Sequence, residues 1–330
     1  MSGDTPKKKV VFISVSGQPI ALELATSEKF DVSGTVRPSS ISKPNVEVLR
    51  NSGVTIVPLD WQTAPASELE ALFAGVDTVI STCTGFAIPD QTKLVDAAKV
   101  AQVKRFIPCH WGTVCPRGGM KLEDMKRAIS DYIVKVGVPY TIITVGFWYE
   151  VLFPPVPPYV PPVPEYAEFA DLVYQTVGTG NVKTAGVNRE HVGKFVARII
   201  DDEGTINKGV LANEDELTIN EVWDIAEKYV PGKISPLRVR VSQPIPKSFL
   251  LVLMDWQYLL QLSDDEVKKQ LKEGEGKLAQ FYLEYMKSAF IEGHNTEAAA
   301  REAGWIIARE RYPDVQLQPG AEWAKTYYSK

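Results

Sequence analysis

The feature that most constrains the fold is a regular alternation of apolar runs and helical segments between Val10 and Val145. The runs are rich in β-branched residues, which is typical of strands buried on both faces of a parallel sheet. They span Val10 to Val15, Val32 to Val36, Val54 to Leu59, Val76 to Cys83, Arg105 to Pro108 and Tyr140 to Val145. Helices are predicted between them, at Ile20 to Glu28, Ser42 to Asn51, Ala64 to Phe73, Gln91 to Ala101 and Lys121 to Val136. This pattern predicts an α/β fold with a doubly wound parallel sheet.

A dense proline run after Phe153 breaks the alternation, because proline cannot pair within a central strand. Beyond it the sequence predicts two strands, at Val182 to Val187 and Val210 to Ala212. Helices are predicted at Arg189 to Asp201 and Thr218 to Tyr229. The chain is expected to be mostly helical from Lys247 to Gly293 and to end in a short helix. We predict a Rossmann-type domain over residues 6–152, to which residues 178–212 return. Residues 153–177 and 213–330 are predicted to form a smaller, mostly helical substrate domain.

Charge and composition exclude several classes of protein. A formal net charge of -5 argues against nucleic-acid binding, since nucleic-acid-binding domains are usually basic. No apolar run reaches the roughly 18 residues that span a membrane, and no apolar signal segment precedes the first strand. Three cysteines are too few for a disulfide framework, and no two of the three histidines have metal-ligand spacing. We expect a cytoplasmic protein without metal, nucleic-acid or membrane partners, either monomeric or homodimeric.

The loop after the first strand has only part of a dinucleotide-binding motif. Such a loop uses one glycine for the tight turn, one for close approach to the pyrophosphate, and one for packing of the helix on the strand. Here the loop reads Ser14, Val15, Ser16, Gly17, Gln18, Pro19 and Ile20. Of the three glycine positions of the motif, only the middle one is a glycine, and Ser14 and Ile20 occupy the other two. Pro19 also removes one backbone donor from the helix N-terminus, where the pyrophosphate would bind. The loop by itself supports cofactor binding weakly.

Arg37 follows the second strand, at the place where a basic side chain would bind the 2′-phosphate of NADP and an acidic one would bind the ribose of NAD. Lys43 is close enough in sequence to contribute to the same anion site. Two interpretations are open: a phosphate ligand, or an ordinary surface arginine at a strand end. The βαβ context favours the phosphate, and with it an NAD(P)-binding domain specific for NADPH.

Cys109, His110 and Trp111 directly follow the fifth strand, and ligands of open α/β sheets bind at the carboxyl ends of strands. They are therefore expected at the mouth of a cofactor or substrate cleft, with Lys126 reaching into it from the next helix. His110 is either an acid–base group or a structural residue bonded to the backbone. Lys126 is either catalytic, with burial bringing its pKa nearer neutrality, or a solvated helix residue.

Several segments resemble the isoflavone reductase-like, or NmrA-like, group of atypical short-chain dehydrogenases. They are VKRFIPCHWG, where that group typically shows KRF-P-SEFG, and VRPSS, VDTVISTCTG, QTKLVDAAKVAQ, GVPYTIITVGFW, GTGN at Gly178 to Asn181, and RYPDV. Their order along nearly the whole chain makes the resemblance specific. The GFW that follows the sixth strand is most similar to fungal members, which are often found in natural-product pathways.

The resemblance implies roles for particular residues. Lys126 falls at the catalytic lysine of the reductases, Arg37 at their 2′-phosphate arginine, and Ser14 to Ile20 on their glycine motif. Thr82 and Cys83 fall on the loop beside the nicotinamide ribose, and Cys109 is expected near the same part of the cofactor. The sequence Cys-His-Trp replaces Ser-Glu-Phe, so the substrate is expected to differ. The chain also lacks the Tyr-x-x-x-Lys pair of the main short-chain dehydrogenases, since Tyr132 and Lys135 are three residues apart.

The sequence thus predicts an NADPH-dependent oxidoreductase that acts on a bulky apolar or aromatic small molecule in secondary metabolism. Catalysis is assigned to Lys126 and His110, and Lys126 is also expected to contact the cofactor near the nicotinamide. Substrate contacts are assigned to His110 and Trp111 and to the aromatic pair Phe147 and Trp148, which follows the sixth strand. Two alternatives are kept: a redox-neutral isomerase or cyclase that recycles or has lost NADP(H), and a non-catalytic NADP-binding redox sensor.

Overall fold

A parallel sheet lies at the centre of the computed structural model, which describes residues 6–14, 17–156, 175–176, 179–235, 239–240 and 277–329. Five parallel strands are arranged in the order β3-β2-β1-β4-β5. They are β1 Lys8–Ile13, β2 Phe30–Val36, β3 Thr55–Pro58, β4 Thr78–Ser81 and β5 Arg105–Ile107. The strand order reverses between β1 and β4, so the carboxyl ends of these two strands border the crevice in which open α/β sheets bind ligands.

The same layer continues beyond β5 through a parallel bridge between Phe106 and Tyr140, which leads into β6. The later strands are β6 Thr141–Thr144, β7 Phe147–Trp148, β8 Gln175–Thr176, β9 Lys183–Val187, β10 Lys208–Leu211, β11 Asp215–Thr218, β12 Val239–Arg240 and β13 Ile306–Ile307. Strand β10 pairs in parallel with β6 on one side and β13 on the other. Strands β7, β9 and β11 form a separate sheet, in which β9 and β11 are antiparallel.

Helices cover the sheet and extend past it. Those that connect its strands are α1 Gln18–Thr26, α2 Pro44–Asn51, α3 Ala66–Phe73, α4 Thr92–Val100 and α5 Lys121–Val136. The later helices are α6 Tyr149–Leu152, α7 Val192–Asp201, α8 Ile219–Tyr229, α9 Lys277–Phe290, α10 Glu297–Glu302, α11 Ala308–Arg311 and α12 Gly320–Tyr328. Among the residues described, no helix is long and apolar enough to cross a membrane.

Strand β1 shows why its sequence is a continuous apolar run. Val10 and Phe12 belong to the core on one face of the sheet, with α1 and α7, whereas Val11 and Ile13 belong to the core on the other, with α3 and α4. Successive side chains of a strand point to opposite faces, so a strand covered on both sides must be apolar throughout. A third apolar cluster joins Phe147, Tyr149 and Phe153 to helices α8, α9 and α12.

The predicted fold class is confirmed, and helix α5 has the predicted bounds. Helix α8 begins with the predicted capping box between Thr218 and Glu221. The first strand has the predicted length but begins and ends two residues earlier, at Lys8 and Ile13, because Ser14 has a φ of 68° and turns the chain. The two-residue strands β7 and β13 and the polar strand β11 were not predicted, since they are too short or too polar to show periodicity.

Some predictions lie wholly or largely outside the described residues, namely the proline run and the part of the Lys247 to Gly293 helical prediction before residue 277. The division into a Rossmann-type domain and a substrate domain stays a prediction.

Candidate active site

The loop after β1 makes its tight turn with a serine. Ser14 lies in the left-handed region, at a φ of 68°, which glycine adopts without strain. Its N–H donates to Thr35 Oγ1 at 3.0 Å, and its carbonyl accepts from the Thr82 hydroxyl. Hydrogen bonds from β2 and β4 thus hold the conformation for which the motif normally uses its first glycine.

Gly17 is required by its closeness to β4. A Cβ at this position would lie 2.6 Å from Thr82 Cγ2, and the Gly17 N–H donates to Thr82 Oγ1 at 3.3 Å. Helix α1 begins at Gln18, with Pro19 in its first turn, and within the described residues no side chain caps this end and no acidic residue lies in the first turn. The N-terminus of α1 therefore offers backbone donors without a competing anion. Ser16, another predicted cofactor ligand, lies outside the described residues.

The third glycine of the motif is replaced by Ile20, whose side chain is buried in the core. The close helix packing at this corner involves Gly193 on α7 instead. A Cβ there would lie 2.8 Å from the Pro19 carbonyl oxygen and 2.5 Å from Glu23 Cβ. This contact could not be predicted from the sequence, because Gly193 is far from the loop along the chain.

Arg37 and Lys43 both lie on the connection from β2 to α2, on either side of a single 3₁₀ turn at Pro38–Ser40. Both side chains are exposed. Neither forms an ion pair within the part of the chain that the structure describes, so both charges are available to an anion.

Cys83 and Cys109 meet just beyond the ends of the neighbouring strands β4 and β5. The Cys109 thiol donates to the Cys83 carbonyl at 3.0 Å, and the Cys109 N–H donates to Gln91 Oε1 at 2.8 Å. The interaction between the two thiols lowers the pKa of Cys83 and, together with burial, raises the pKa of Cys109. The structure therefore brings these two predicted cofactor contacts together.

The predicted substrate-binding aromatic residues divide between two places. Trp111 donates from Nε1 to the Ser81 carbonyl at 2.9 Å, and Trp111 and Trp148 both pack, half-buried, against the core of the sheet. Phe147 lies in the other cluster, where its ring stacks on Phe290 at 5.4 Å and meets Tyr285 edge-on at 6.1 Å. The alternation of side chains along β7 separates Phe147 from Trp148.

His110 is buried, whereas the sequence suggested a position at the cleft mouth. It is 1% exposed, and Nε2 lies 3.2 Å from Glu123 Oε1. Within the described residues, neither a backbone group nor a side chain makes a well-oriented hydrogen bond with either ring nitrogen of His110. Burial lowers the pKa of His110 despite the carboxylate beside it, which favours the neutral imidazole.

Glu123 connects His110 to the half-buried cation of Arg127. Its Oε1 accepts from Arg127 Nε at 2.7 Å, and the Arg127 guanidinium lies 5.5 Å from the Trp305 ring centroid. Burial raises the pKa of Glu123, but its interaction with His110 and the positive charges of Lys126 and Arg127 outweigh burial and lower the pKa. Glu123 thus stays ionised. Its spacing from Arg127, one helical turn, was the only sequence signal for this network.

Lys126 lies at the centre of the candidate site. Its side chain is buried and its ammonium lies near the Tyr285 hydroxyl of α9. Both groups face Gly112, where a Cβ would lie 2.9 Å from Nζ and 3.1 Å from the Tyr285 oxygen. The Gly112 carbonyl accepts from Val145 and Gly146, each at 2.9 Å, so its backbone is fixed.

The pKa of Lys126 shifts in the direction opposite to our prediction. Burial lowers it, but Tyr285, Glu123 and Cys109 outweigh burial and raise the pKa above that of an ordinary lysine. The expectation that burial alone would bring the pKa toward neutrality was wrong, because it ignored the partners that enter the site with the lysine. Tyr285 and Glu123 are the site residues that sequence reasoning missed.

The fold and the position of these residues define a Rossmann-type α/β protein with its candidate site at the carboxyl edge of the parallel sheet. Residues 6–286 match the model of the NmrA-like family, and the chain belongs to that family.

Relatives have similar chains over most of their length. The chain is 29% identical over 284 residues to an asnovolin J 5′,6′-dehydrogenase from Aspergillus novofumigatus, covering 86% of this chain and 82% of that protein. It is 25% identical over 332 residues to an isoflavone reductase-like protein from Olea europaea, and the match covers 96% of this chain and 97% of that protein. Among solved structures, leucoanthocyanidin reductase from Vitis vinifera in complex with NADPH superposes with a TM-score of 0.70 at 21% identity, covering 98% of this chain and 100% of that one.

Proposed function

We propose that this protein is an NADPH-dependent oxidoreductase that transfers hydride to or from a bulky apolar or aromatic small molecule. The observation that carries the proposal is the Lys126 ammonium, which is buried yet charged at the carboxyl edge of the sheet. A buried charge is costly unless it has partners or a task. Support also comes from the relatives, which are named as a dehydrogenase and an isoflavone reductase-like protein, and from the NADPH complex of the structural neighbour.

The residues present fit a dinucleotide phosphate. The uncapped N-terminus of α1, with the loop from Ser14 to Ile20, would hold the pyrophosphate. Arg37 and Lys43 would bind the 2′-phosphate, for which an arginine fork is well suited. Thr82, Cys83 and Cys109 would border the nicotinamide ribose. When bound in its reduced form, the cofactor would supply the hydride.

Lys126 would act by charge at the reacting end. An oxygen of the substrate gains negative charge as hydride reaches the neighbouring carbon, and a fixed ammonium stabilises that charge most where water is excluded. The raised pKa of Lys126 keeps the ammonium protonated at neutral pH. His110 is neutral and buried next to Glu123. As a second acid–base group it would therefore act on the site only by exchanging a proton with the Glu123 carboxylate.

The substrate would be bulky and apolar, with Trp111, Phe147 and Trp148 among its contacts. Membership of a natural-product pathway is proposed from the similarity to the asnovolin J dehydrogenase, which covers 86% of this chain.

The test is titration calorimetry of ligand-free protein with NADPH, NADP and NADH, followed by a screen for hydride transfer to aromatic enones and ketones. The proposal expects micromolar NADPH affinity, about 8 kcal/mol, clearly weaker NADH, and turnover with at least one acceptor. Absence of binding to all three cofactors would instead favour redox-neutral chemistry. Tight NADPH binding without turnover across the screen would favour a redox-sensing regulator.

A further inference from the structure

Helix α9 is fixed over the candidate site by contacts on both sides of Tyr285. The Glu284 carboxylate accepts from the Lys121 N–H at 2.9 Å, at the positive N-terminus of α5. One helical turn later, the Ser288 hydroxyl donates to the Cys115 thiol at 3.3 Å in a buried contact. Tyr285 is therefore held over α5 by its own helix, and its approach to Lys126 follows from how the two helices pack.

The chemistry of Lys126 and Tyr285 decides which group can donate to the other. A lysine ammonium has three donors and no acceptor, so only the Tyr285 oxygen can accept between them. The phenolic O–H proton cannot be donated to the ammonium and can be donated to a third group. The pair thus presents two kinds of donor at one point, the ammonium N–H and the phenolic O–H.

The ammonium and the phenol lie on the same side of Gly112. A Cβ on Gly112 would lie 2.9 Å from Nζ and 3.1 Å from the phenolic oxygen, so the two polar atoms converge on one point. An oxygen atom that approaches between them, outside contact distance of the Gly112 Cα, would reach both donors. The edge-on contact with Phe147, at 6.1 Å between ring centroids, orients the Tyr285 ring.

We propose that Tyr285 is a catalytic residue and that Tyr285 and Lys126 together form a two-donor site for the reacting oxygen of an aromatic or carbonyl substrate. This inference rests on the proposed function and extends it, because it names the proton source and the kind of oxygen that the site binds.

The step balances with groups in the site and the cofactor. A bound reduced nicotinamide would supply the hydride for a C–H bond at the carbonyl carbon, or at the far end of a conjugated system, and the displaced electron pair would move to the oxygen. That oxygen would take the Tyr285 proton, so the substrate would gain the two electrons that the nicotinamide loses. The phenolate that remains is neutralised by the Lys126 ammonium until water returns the proton.

The test uses β-naphthol, an aromatic alcohol whose neutral and ionised forms differ in absorbance and fluorescence. Wild-type protein, Tyr285→Phe, Lys126→Met and Tyr132→Phe are titrated with it, with and without saturating NADP. Tyr132 is the matched control, since its hydroxyl donates to Asp96 on the exposed side of α5. A parallel calorimetric titration with NADPH tests the proposed function separately.

Wild-type protein and Tyr132→Phe are expected to bind naphthol as naphtholate at a pH where free naphthol is neutral. Tyr285→Phe should bind it about tenfold more weakly, the cost of one hydrogen bond to a charged group. Lys126→Met should lose the naphtholate spectrum. NADPH affinity should be the same in wild type and Tyr285→Phe.

Equal naphthol affinity and spectrum in wild type and Tyr285→Phe would overturn the two-donor site, as would failure of the wild type to bind naphthol. Loss of NADPH binding by the wild type, with naphtholate binding intact, would instead refute the proposed function and leave the two-donor site standing.

Discussion

Thr82 fills the space that a side chain on Gly17 would need. Its Cγ2 lies 2.6 Å from the position of a Cβ on Gly17, and its hydroxyl also accepts the Gly17 N–H. Gly17 is therefore needed for the loop to pack against Thr82 at the end of β4. It would also let the backbone approach a phosphate.

Gly17→Ala is expected to force this loop away from β4. The overlap should lower the free energy of unfolding by about 1–3 kcal/mol, as overpacking typically does, and weaken NADPH binding. Urea unfolding and calorimetry measure the two effects. Thr82→Ser removes Cγ2 but keeps the hydroxyl, so Gly17→Ala combined with Thr82→Ser should recover part of both. Equal losses in the single and double variants would show that the contact is not the cause.

Arg37→Ala should lower NADPH affinity by about ten- to a hundredfold, the range for charged hydrogen bonds, and leave NADH affinity unchanged. The reason is that only NADPH carries the 2′-phosphate. The matched control is Arg50→Ala on α2, whose guanidinium already pairs with Glu47. Unchanged NADPH affinity in Arg37→Ala would remove the cofactor assignment of this residue.

Lys126→Met should reduce turnover of an accepted substrate by about a hundredfold or more, as removal of an oxyanion donor does. NADPH affinity should change little, because the pyrophosphate and 2′-phosphate contacts are elsewhere. Stopped-flow oxidation of NADPH gives the rate, and Lys135→Met, at an exposed position of the same helix, is the control. Full activity in Lys126→Met would contradict its catalytic role.

The three cysteines should differ in reactivity because the thiolate is the nucleophile. The hydrogen bond with Cys109 lowers the pKa of Cys83, whereas burial raises the pKa of Cys115 to about 11. Near neutral pH, limiting iodoacetamide should therefore label Cys83 first and Cys115 little, as read by peptide mass spectrometry. Unfolded protein, in which all three should react alike, is the reference. Early labelling of Cys115 would contradict the environment described here.

Thr218→Ala should destabilise the protein by about 1 kcal/mol through loss of the cap of α8. The Thr218 hydroxyl accepts the Glu221 N–H at 3.1 Å, and the Glu221 carboxylate accepts the Thr218 N–H at 2.7 Å. Chemical unfolding measures the change. Thr218→Ser keeps the acceptor and should remain close to wild type, so equal destabilisation by alanine and serine would argue against the cap.

Local chemistry made much of this fold predictable. The apolar runs of β1, β4, β5 and β6 are buried, and Gly137, with a φ of 75°, ends α5 where a left-handed residue is needed. The capping box at Thr218 is likewise a contact between residues three apart. Strands β7 and β13 were not predicted, because two residues are too few to show the alternation of apolar and polar side chains that indicates a strand.

The sequence by itself determined the doubly wound sheet, the bounds of α5, the cap of α8 and the family resemblance, because these depend on patterns within one element or its neighbours. Tertiary structure alone decided that Tyr285 meets Lys126, that Glu123 and Arg127 surround His110, and that Thr82 rather than open space lies against Gly17. The contacts of Tyr285 with Lys126 and of Thr82 with Gly17 join residues far apart in the chain, so no sequence spacing predicts them. Around His110, only the one-turn spacing of Glu123 and Arg127 was visible in the sequence. The direction of the Lys126 pKa depends on the same contacts, because the balance between burial and nearby charges is set only when distant elements pack together.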